Sequence, residues 1–254
     1  MTEFNPFSLK GKTILITGAS SGIGQQCAID CSKMGAKVLL IARNEERLQD
    51  TLSCLEGDGH GYYSFDLSET SSIKELVSTI ITENGKLSGF LHCAGMEVTK
   101  PLQLLTPEDF EELFKVNALS AFEIVRHLSS PKRLASGGSI VFVSSITAVV
   151  ARIGLAAYSA SKGALLGSAR VIASEFSKRG IRVNCVSPGT VLTPMMERFL
   201  SGLSEENYKK RVDAFPLGLG QPSDISNACV YLLSDASRWM TGQNLIIDGG
   251  YTMK

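Results

Sequence analysis

The sequence has no long hydrophobic run and no excess of charge of one sign. Among its 254 residues, 25 Lys and Arg balance 25 Asp and Glu. Because this balance creates no basic surface field, we expect no nucleic acid and no anionic membrane as partners. No apolar stretch reaches the ~20 residues of a membrane span, and the first residues show no signal-peptide core. The sequence therefore predicts a cytoplasmic, soluble protein.

Histidine is scarce, and the cysteines form no recognisable metal or disulfide pattern. There are three His and six Cys, with no CxxC motif. Cys27 and Cys31 lie four residues apart, a spacing at which two thiols on a helix can chelate a metal. The same spacing is typical of two small buried hydrophobic residues, and we favour this interpretation because no further ligands are visible. We expect neither a metal site nor a disulfide framework.

Short apolar runs alternate with helical patterns along the whole chain. These runs are rich in Val, Ile and Leu and hardly alternate with polar residues, which is typical of parallel strands covered on both faces. They cover residues 13–17, 37–42, 61–66, 89–95, 139–145, 181–188 and 244–248. The pattern predicts a doubly wound α/β Rossmann fold with a seven-stranded parallel sheet and helices on both faces. We expect one domain, residues 1–254, with an irregular substrate lid around residues 190–222.

A glycine-rich turn, TGASSGIG at residues 17–24, follows the first strand and opens the first helix. Gly18 allows a tight turn, Gly22 lets the backbone approach a ligand, and Gly24 permits close contact between helix and strand. Backbone N–H groups at the start of such a helix can bind a diphosphate. The alternative is a plain connection between strand and helix. The position after the first strand of a doubly wound sheet favours the binding interpretation.

A tyrosine and a lysine lie four residues apart in AAYSASKGA, residues 156–164. On a helix, this spacing places Tyr158 and Lys162 on one face. A free phenol has a pKa near ~10, and a neighbouring ammonium favours the phenolate and lowers that pKa. Tyr158 can then exchange a proton with a substrate oxygen. By itself the pair is also compatible with ordinary packing, since this spacing is common on helices.

Together these motifs resemble the short-chain dehydrogenase/reductase family, whose pattern is TGxxxGxG followed by YxxxK. The resemblance extends from Leu9 to the DGG at residues 248–250 and includes CAG (93–95), Asn117, Ser145 and SPGTVLTPM (187–195). The carboxyl-terminal part looks most like the 3-oxoacyl-acyl-carrier-protein reductase branch. That pattern also occurs in many alcohol and polyol dehydrogenases.

The resemblance implies roles for residues throughout the chain. The implied catalytic residues serve proton transfer between the protein and the substrate oxygen. They are Asn117, Ser145, Tyr158 and Lys162. Ser145 would hydrogen-bond that oxygen, and Asn117 would interrupt a helix and hold a water linked to Lys162. Besides Tyr158 and Lys162, the implied cofactor-binding residues are Gly18, Ser20, Ser21, Gly22, Ile23, Gly24, Arg43, Asp66, Leu67, Cys93, Ala94, Gly95, Pro188, Gly189, Val191 and Thr193. Cys93 replaces the family's usual Asn, and His92 before it is interpreted as a packed strand residue.

The end of the second strand bears on the choice of coenzyme. An acid there binds the ribose 2′-hydroxyl of NAD, whereas an arginine accommodates the 2′-phosphate of NADP. Here Ala42 stands where NAD-dependent relatives usually carry Asp, and Arg43 follows it. Two observations argue against NADP(H). Ser21 stands where many NADP-dependent relatives place a second basic residue, and the acids Glu45 and Glu46 lie nearby. However, Asn44 is typical of a helix cap, which places these two acids in the first helical turn, where they face the helix dipole. We expect NADP(H) to be preferred over NAD(H).

The resemblance predicts an oxidoreductase that transfers hydride between NADP(H) and a carbonyl/secondary alcohol pair. The first expectation is reduction of a 3-oxoacyl thioester, so the partner would be a small-molecule carbonyl or an acyl-carrier-bound substrate. The alternatives are a sugar, polyol or steroid alcohol dehydrogenase and a non-catalytic dinucleotide-binding regulator. A homotetramer is expected, with the strand at 244–248 and the apolar helix at 225–234 in shared surfaces. The expected pocket walls are Met96, Ile146, Val149, Arg152, Ile153, Met195, Met196 and Phe199. Arg152 can contact an anionic substrate or a carrier protein, and we favour its interpretation as a solvated loop residue.

Overall fold

The computed structural model describes residues 4–253, and its centre is one sheet of seven parallel strands. The strands are β1 Thr13–Thr17, β2 Lys37–Ala42, β3 Gly61–Ser64, β4 Leu87–His92, β5 Leu134–Val143, β6 Arg182–Pro188 and β7 Asn244–Ile247. Their order in the sheet is β3-β2-β1-β4-β5-β6-β7. The predicted seven-stranded parallel sheet is confirmed. The single domain over residues 1–254 stays a prediction, and residues 1–3 and 254 lie outside those described.

Two strands begin earlier than the sequence predicts. β4 begins at Leu87 rather than at residue 89, and β5 begins at Leu134 rather than at residue 139. Leu87 pairs with Leu134, and the register then shifts before Gly89 pairs with Ser139. The earlier start of β5 is not evident from the sequence, because the two glycines after Ser136 are typical of a turn rather than of a strand.

Helices cover both faces of the sheet. They are α1 Gly22–Lys33, α2 Glu45–Ser53, α3 Ile73–Asn84, α4 Pro107–Phe114, α5 Ser120–Leu128, α6 Ala156–Phe176, α7 Pro194–Ser201, α8 Glu205–Asp213 and α9 Pro222–Leu233. Buried residues of α3, α5 and α6 pack on one face, and those of α1, α2 and α9 pack on the other. The two apolar faces explain why the strands read as continuous hydrophobic runs.

The apolar side of α9 is used inside the chain. Ile225, Cys229 and Leu233 are almost completely buried and belong to the core cluster that contains Cys27 and Cys31 of α1. These three residues are therefore covered by α1 inside the chain, and the expected contribution of this helix to a surface shared between subunits stays a prediction. Cys27 and Cys31 are buried core residues, as expected.

The segment 190–222 is largely helical, so the expected irregular loop is wrong. It contains α7 and α8. The side chain of Thr193 accepts a hydrogen bond from Met196 N at the start of α7, where Pro194 occupies the first turn. Ser204 caps α8 in the same way. Both helices are short and separated by Gly202, so their periodicity was too brief to stand out.

The chain reverses direction across the sheet between β1 and β4. β1 leads to β2 and β3 on one side, whereas β4 to β7 follow on the other. In open α/β sheets, ligands bind at such a switch point, beyond the carboxyl ends of the strands.

No helix within residues 4–253 has both the length and the apolarity needed to cross a membrane.

Candidate active site

A cleft of about 940 Å³ opens at the carboxyl ends of the strands. The implied cofactor-binding residues all line it: Gly18, Ser20, Ser21, Gly22, Ile23, Gly24, Arg43, Asp66, Leu67, Cys93, Ala94, Gly95, Tyr158, Lys162, Pro188, Gly189, Val191 and Thr193. Ser145 also lines it, whereas Asn117 lies buried behind the wall. The structure therefore brings together residues that are up to 175 positions apart in sequence, as Gly18 and Thr193 are.

The glycines of the turn have separate physical requirements. Gly18 has φ +66°, and a Cβ there would lie 2.7 Å from Ala94 N. A Cβ on Gly24 would collide with the carbonyl oxygen of Gly18 and approach Cys93 Cβ at 3.2 Å. These positions need glycine because helix, turn and β4 meet without room for a methyl group. The predicted close contact at Gly24 is confirmed.

The start of α1 is free to bind an anion. Ser21 precedes the helix, and its side chain makes no capping hydrogen bond to any described residue. The first turn of α1, Gly-Ile-Gly-Gln, carries no acid. The first N–H groups of a helix have no intrahelical partner, and the helix dipole favours negative charge there. The turn therefore fits the diphosphate of a dinucleotide.

Tyr158 and Lys162 lie together on α6, at the floor of the cleft. Lys162 Nζ lies 5.9 Å from the centroid of the Tyr158 ring and donates a hydrogen bond to Val143 O at 2.9 Å. Lys162 is buried, and Tyr158 is partly exposed to the cleft. The predicted shared face is confirmed, and the Lys162 ammonium is anchored to the end of β5.

The two side chains have pKa values shifted by their surroundings. Burial raises the pKa of Tyr158, and the charge of Glu97 raises it further, whereas the Ser145 hydroxyl and the Arg152 charge oppose this rise. Burial lowers the pKa of Lys162 to about 8. The sequence predicts that Lys162 lowers the pKa of Tyr158. In the chain by itself the pKa of Tyr158 is raised instead, because desolvation of the phenol is the largest effect.

Ser144 and Ser145 end β5 with different partners. Ser144 Oγ donates to Lys162 O at 2.9 Å, which makes it a structural residue. Ser145 Oγ accepts hydrogen bonds from Thr147 N at 3.2 Å and from Thr147 Oγ1 at 3.0 Å. Because these two bonds use Ser145 as an acceptor, its own hydroxyl hydrogen stays available for an oxygen in the cleft.

Asn117 interrupts the helical segment between α4 and α5. Residues Lys115–Leu119 form a π-helical turn, which agrees with the expected interruption. The Asn117 amide donates to Met96 O and to Ser161 Oγ, each at 2.9 Å, and its Oδ1 accepts from Met96 N at 2.8 Å. This side chain therefore fixes the backbone that follows β4. Its Oδ1 keeps one lone pair for the expected water.

Gly95 leaves a cradle between these groups. A Cβ at Gly95 would lie 3.0 Å from Lys162 Nζ and 3.4 Å from Asn117 Oδ1. On the opposite wall, a Cβ at Gly189 would lie 2.8 Å from Asp248 Cα. The missing Cβ at Gly95 leaves room for the Lys162 ammonium, and the missing Cβ at Gly189 lets the chain after β6 pack against the chain after β7. The cleft thus fits a nicotinamide dinucleotide, with its diphosphate at α1.

Two arginines lie at the far end of the cleft, near the end of β2. Arg43 Nη1 lies 3.7 Å from Asp66 Oδ2, and both side chains are well exposed. Arg47, in the first turn of α2, also lines the cleft. Asn44 caps that helix by accepting from Arg47 N at 2.8 Å, as expected. The sequence interpretation missed Arg47, although its position three residues after a capping Asn placed it at the helix start.

His92 and Cys93 end β4. His92 is fully buried, its Nδ1 lies 2.9 Å from Thr17 Oγ1, and burial lowers its pKa to about 3. It is a neutral, packed strand residue, as expected. Cys93 N donates to Thr17 O at 3.3 Å, so the backbone keeps its place although the family's usual Asn is absent.

The expected pocket walls are only partly correct. Met96, Ile146, Arg152, Met195 and Met196 line the cleft. Val149, Ile153 and Phe199 do not, and Ile153 is 97% exposed. Arg152 lines the cleft and is only partly exposed, so its interpretation as a solvated loop residue is wrong. Arg211 and Glu97, which the sequence interpretation did not single out, are also part of the lining.

Known proteins resemble this chain along nearly its whole length. A family model described as enoyl-(acyl carrier protein) reductase matches residues 18–252. D-threitol dehydrogenase of Mycolicibacterium smegmatis is 33% identical over 251 residues, covering 98% of this chain and 95% of that protein. Glucose 1-dehydrogenase of Gluconobacter oxydans is 34% identical over 253 residues, covering 96% of this chain and 92% of that protein.

Solved structures share the whole fold. A candidate short-chain alcohol dehydrogenase from Sinorhizobium meliloti 1021 has a TM-score of 0.90 and 31% identity, covering 98% of this chain and 100% of that one. A candidate 2-deoxy-D-gluconate 3-dehydrogenase from Agrobacterium tumefaciens, with bound NADP, has a TM-score of 0.88 and 27% identity, covering 99% of this chain and 100% of that one. The chain belongs to the short-chain dehydrogenase/reductase family of oxidoreductases.

Proposed function

We propose that this protein is an NADP(H)-dependent dehydrogenase/reductase of a carbonyl/secondary alcohol pair of the sugar or polyol type. The observation that carries the proposal is the convergence of Tyr158, Lys162 and Ser145 on one cleft that begins at a free helix start. The curated relatives described above are named as polyol and sugar dehydrogenases. They support the alternative from the sequence better than reduction of a 3-oxoacyl thioester.

The bound nicotinamide would supply or accept the hydride. The residues of the chain handle the proton. In reduction, the Tyr158 hydroxyl donates a proton to the carbonyl oxygen, and a hydrogen bond from Ser145 stabilises the charge that develops on that oxygen. The Lys162 ammonium stabilises the phenolate that Tyr158 leaves behind. In oxidation the same proton moves from the alcohol to Tyr158.

Support for NADP(H) comes from the end of β2. The Arg43–Asp66 pair is exposed and its atoms are 3.7 Å apart, so the pair is weak and Arg43 can turn to a 2′-phosphate. Arg47 adds a second positive charge to the same part of the cleft. The charge of Arg47 compensates for Ser21, which stands where many NADP-dependent relatives carry a basic residue.

We propose a homotetramer in which the edge of the sheet at β7 is shared between subunits. Ile246 on β7 is 43% exposed, and Trp239 shortly before it is 93% exposed. The substrate lid is proposed to consist of α7 and α8, since residues of both line the cleft. The cytoplasmic location stays a prediction.

The test is a turnover assay with purified protein. NADP⁺ reduction is measured with D-threitol, D-glucitol and D-glucose, and NADPH oxidation is measured with a 3-oxoacyl thioester. We expect turnover with at least one polyol or sugar and slower turnover with the thioester. A faster thioester reaction would restore the acyl interpretation. Tight NADPH binding without turnover of any substrate would instead indicate a regulator.

A further inference from the structure

The end of the cleft beside Tyr158 is lined by arginines that have no carboxylate partner. Arg152, before α6, and Arg211, on α8, both face this part of the cleft. Among residues 4–253, no carboxylate oxygen lies within 4.0 Å of either guanidinium. Most half-buried arginines in proteins are paired. Two unpaired ones in a single cleft need an explanation.

Arg211 is fixed in position by contacts that leave some of its N–H donors without a hydrogen-bond acceptor among the described residues. Its Nη2 donates to Thr190 Oγ1 at 2.9 Å, and its Cζ lies 5.7 Å from the centroid of the Phe199 ring. Its Nε is buried and has no hydrogen-bond partner in the described part of the chain. A buried, unpartnered N–H is costly unless a ligand satisfies it. The contacts of Arg211 thus orient the guanidinium without using up its donors.

The two arginines and the catalytic tyrosine form one electrostatic unit. Burial lowers the pKa of Arg211, and the charge of Arg152 lowers it further, whereas the charge of Glu97 opposes both. The same Arg152 and Glu97 charges act on Tyr158. Arg152, Arg211 and Tyr158 also line the same cleft, so a ligand bound there can contact an arginine and the tyrosine together.

The charge of this region favours an anionic ligand. Arg152, Arg198 and Arg211 line it together with Glu97 and Glu197, and the Lys162 ammonium lies beside Tyr158, which leaves an excess of positive charge. Arg198 is exposed, and its Nε donates to Pro194 O. A carboxylate brings a single charge, whereas a phosphate would bring about two and meet repulsion from the glutamates.

Building on the proposed dehydrogenase function, we propose that the substrate is a hydroxy or oxo acid whose carboxylate binds Arg211 and Arg152. The guanidinium of Arg211 offers planar N–H donors that match a carboxylate. This contact places the other end of the substrate, with its alcohol or carbonyl carbon, at Tyr158 and Ser145. Sugar acids and short hydroxy acids fit this description, whereas polyols without a charged group lack the anchor.

The simplest competing account gives Arg211 a structural role only. In that account its contacts with Thr190 and Phe199 attach α8 and α7 to the end of β6, and no ligand contacts it. The two accounts differ in what a substitution changes. Loss of an anchor for the lid lowers thermal stability and weakens all substrates equally, whereas loss of a carboxylate site weakens acids selectively.

The test compares acids with neutral counterparts of similar size in which the carboxylate is replaced by an uncharged group. The pairs are D-gluconate with D-glucitol, and 3-hydroxybutanoate with its methyl ester. Binding to the protein–NADPH complex is measured by calorimetry, which does not depend on turnover. In at least one pair we expect the acid to bind about tenfold or more tightly than its neutral partner, as is typical of a charge-assisted contact. In Arg211→Met, which keeps an apolar stem against Phe199, we expect that ratio to fall to about one.

Lys209→Met is the matched control, because Lys209 is an exposed cation on the same helix, paired with Asp213. It should keep the acid preference of the unmodified protein. Equal binding of both members of each pair, or an acid preference that survives Arg211→Met, would overturn the proposal. Tighter binding of D-glucitol 6-phosphate than of D-gluconate would also overturn it. The failure of the proposed function looks different, since acids would then bind selectively but no substrate would be turned over.

Discussion

At the scale of single residues, the proposed preference for NADP(H) depends on Arg43. Replacing Arg43 with Ala removes a planar cation from the part of the cleft where a 2′-phosphate would bind. We expect NADPH binding to weaken by about 1–3 kcal/mol, the range for a charge-assisted contact, while NADH binding hardly changes. Titration of both coenzymes checks this. Equal losses for NADPH and NADH, or an unmodified protein that prefers NADH, would show that Arg43 does not read the phosphate.

Lys162 predicts a pH dependence at the same scale. Because its pKa is lowered to about 8, Lys162 is charged below pH 8 and loses its charge as the pH rises through that value. Tyr158, whose pKa is raised, remains protonated over this range. The kcat/KM of carbonyl reduction should therefore be constant at pH 6–7 and fall as the pH rises through about 8.

The matched variant for this profile is Lys162→Met. It should react slowly at every pH and lack the decline near pH 8, because no ammonium remains to titrate. A decline of the same shape in Lys162→Met would assign it to another group.

At the scale of elements, the glycine turn can be tested against a glycine that has no such requirement. In Gly24→Ala the new methyl group collides with the Gly18 carbonyl, so α1 must move away from β4. We expect a loss of about 1–3 kcal/mol in the free energy of unfolding, as for overpacking, together with weaker NADPH binding. Denaturant unfolding and coenzyme titration measure the two effects.

The control for that variant is Gly167→Ala in α6. A Cβ at Gly167 meets nothing within 4 Å, and alanine stabilises a helix by about 0.5–1 kcal/mol relative to glycine. This variant should therefore be slightly more stable than the unmodified protein. If Gly24→Ala behaved like Gly167→Ala, the close contact at the turn would not be required.

The elements also show which parts of the structure the sequence predicts. The seven strands follow from continuous apolar runs, and the glycine turn and the Tyr158–Lys162 pair follow from local spacing. The helices within residues 190–222 do not, because each is about two turns long and its caps become visible only when the hydrogen bonds are known. The pairing of Leu87 with Leu134 depends on a long-range register that no local pattern encodes.

The substrate end of the cleft is harder still to predict. Arg152 and Arg211 are 59 positions apart, and neither belongs to a motif. Each, taken alone, is indistinguishable from a solvated surface arginine. Their convergence depends on where the folded chain places α8, whose Arg211 bonds to Thr190 after β6. The raised pKa of Tyr158 is likewise a consequence of burial that spacing alone could not reveal.

At the scale of the whole molecule, we expect four copies of the chain to associate. The outer edge of β7 has no neighbouring strand within the described chain, and Ile246 is partly exposed there. Light scattering at micromolar concentration should give four times the mass of one chain. Ile246→Asp places charges in the shared surface and should reduce the mass, whereas Ile153→Asp, in the exposed loop before α6, should not. A monomer in the unmodified protein would contradict the proposal.

The central claim is that Tyr158 exchanges a proton with the substrate oxygen while the chain binds NADP(H). The most direct measurement compares turnover and NADPH binding in the unmodified protein and in Tyr158→Phe, with the best substrate from the polyol, sugar and acid panels. The ring still packs in the variant and only the hydroxyl is lost. We predict that turnover falls by about 10²–10⁴-fold, the contribution of a positioned acid, with NADPH binding unchanged. Near-normal turnover in Tyr158→Phe would contradict the account.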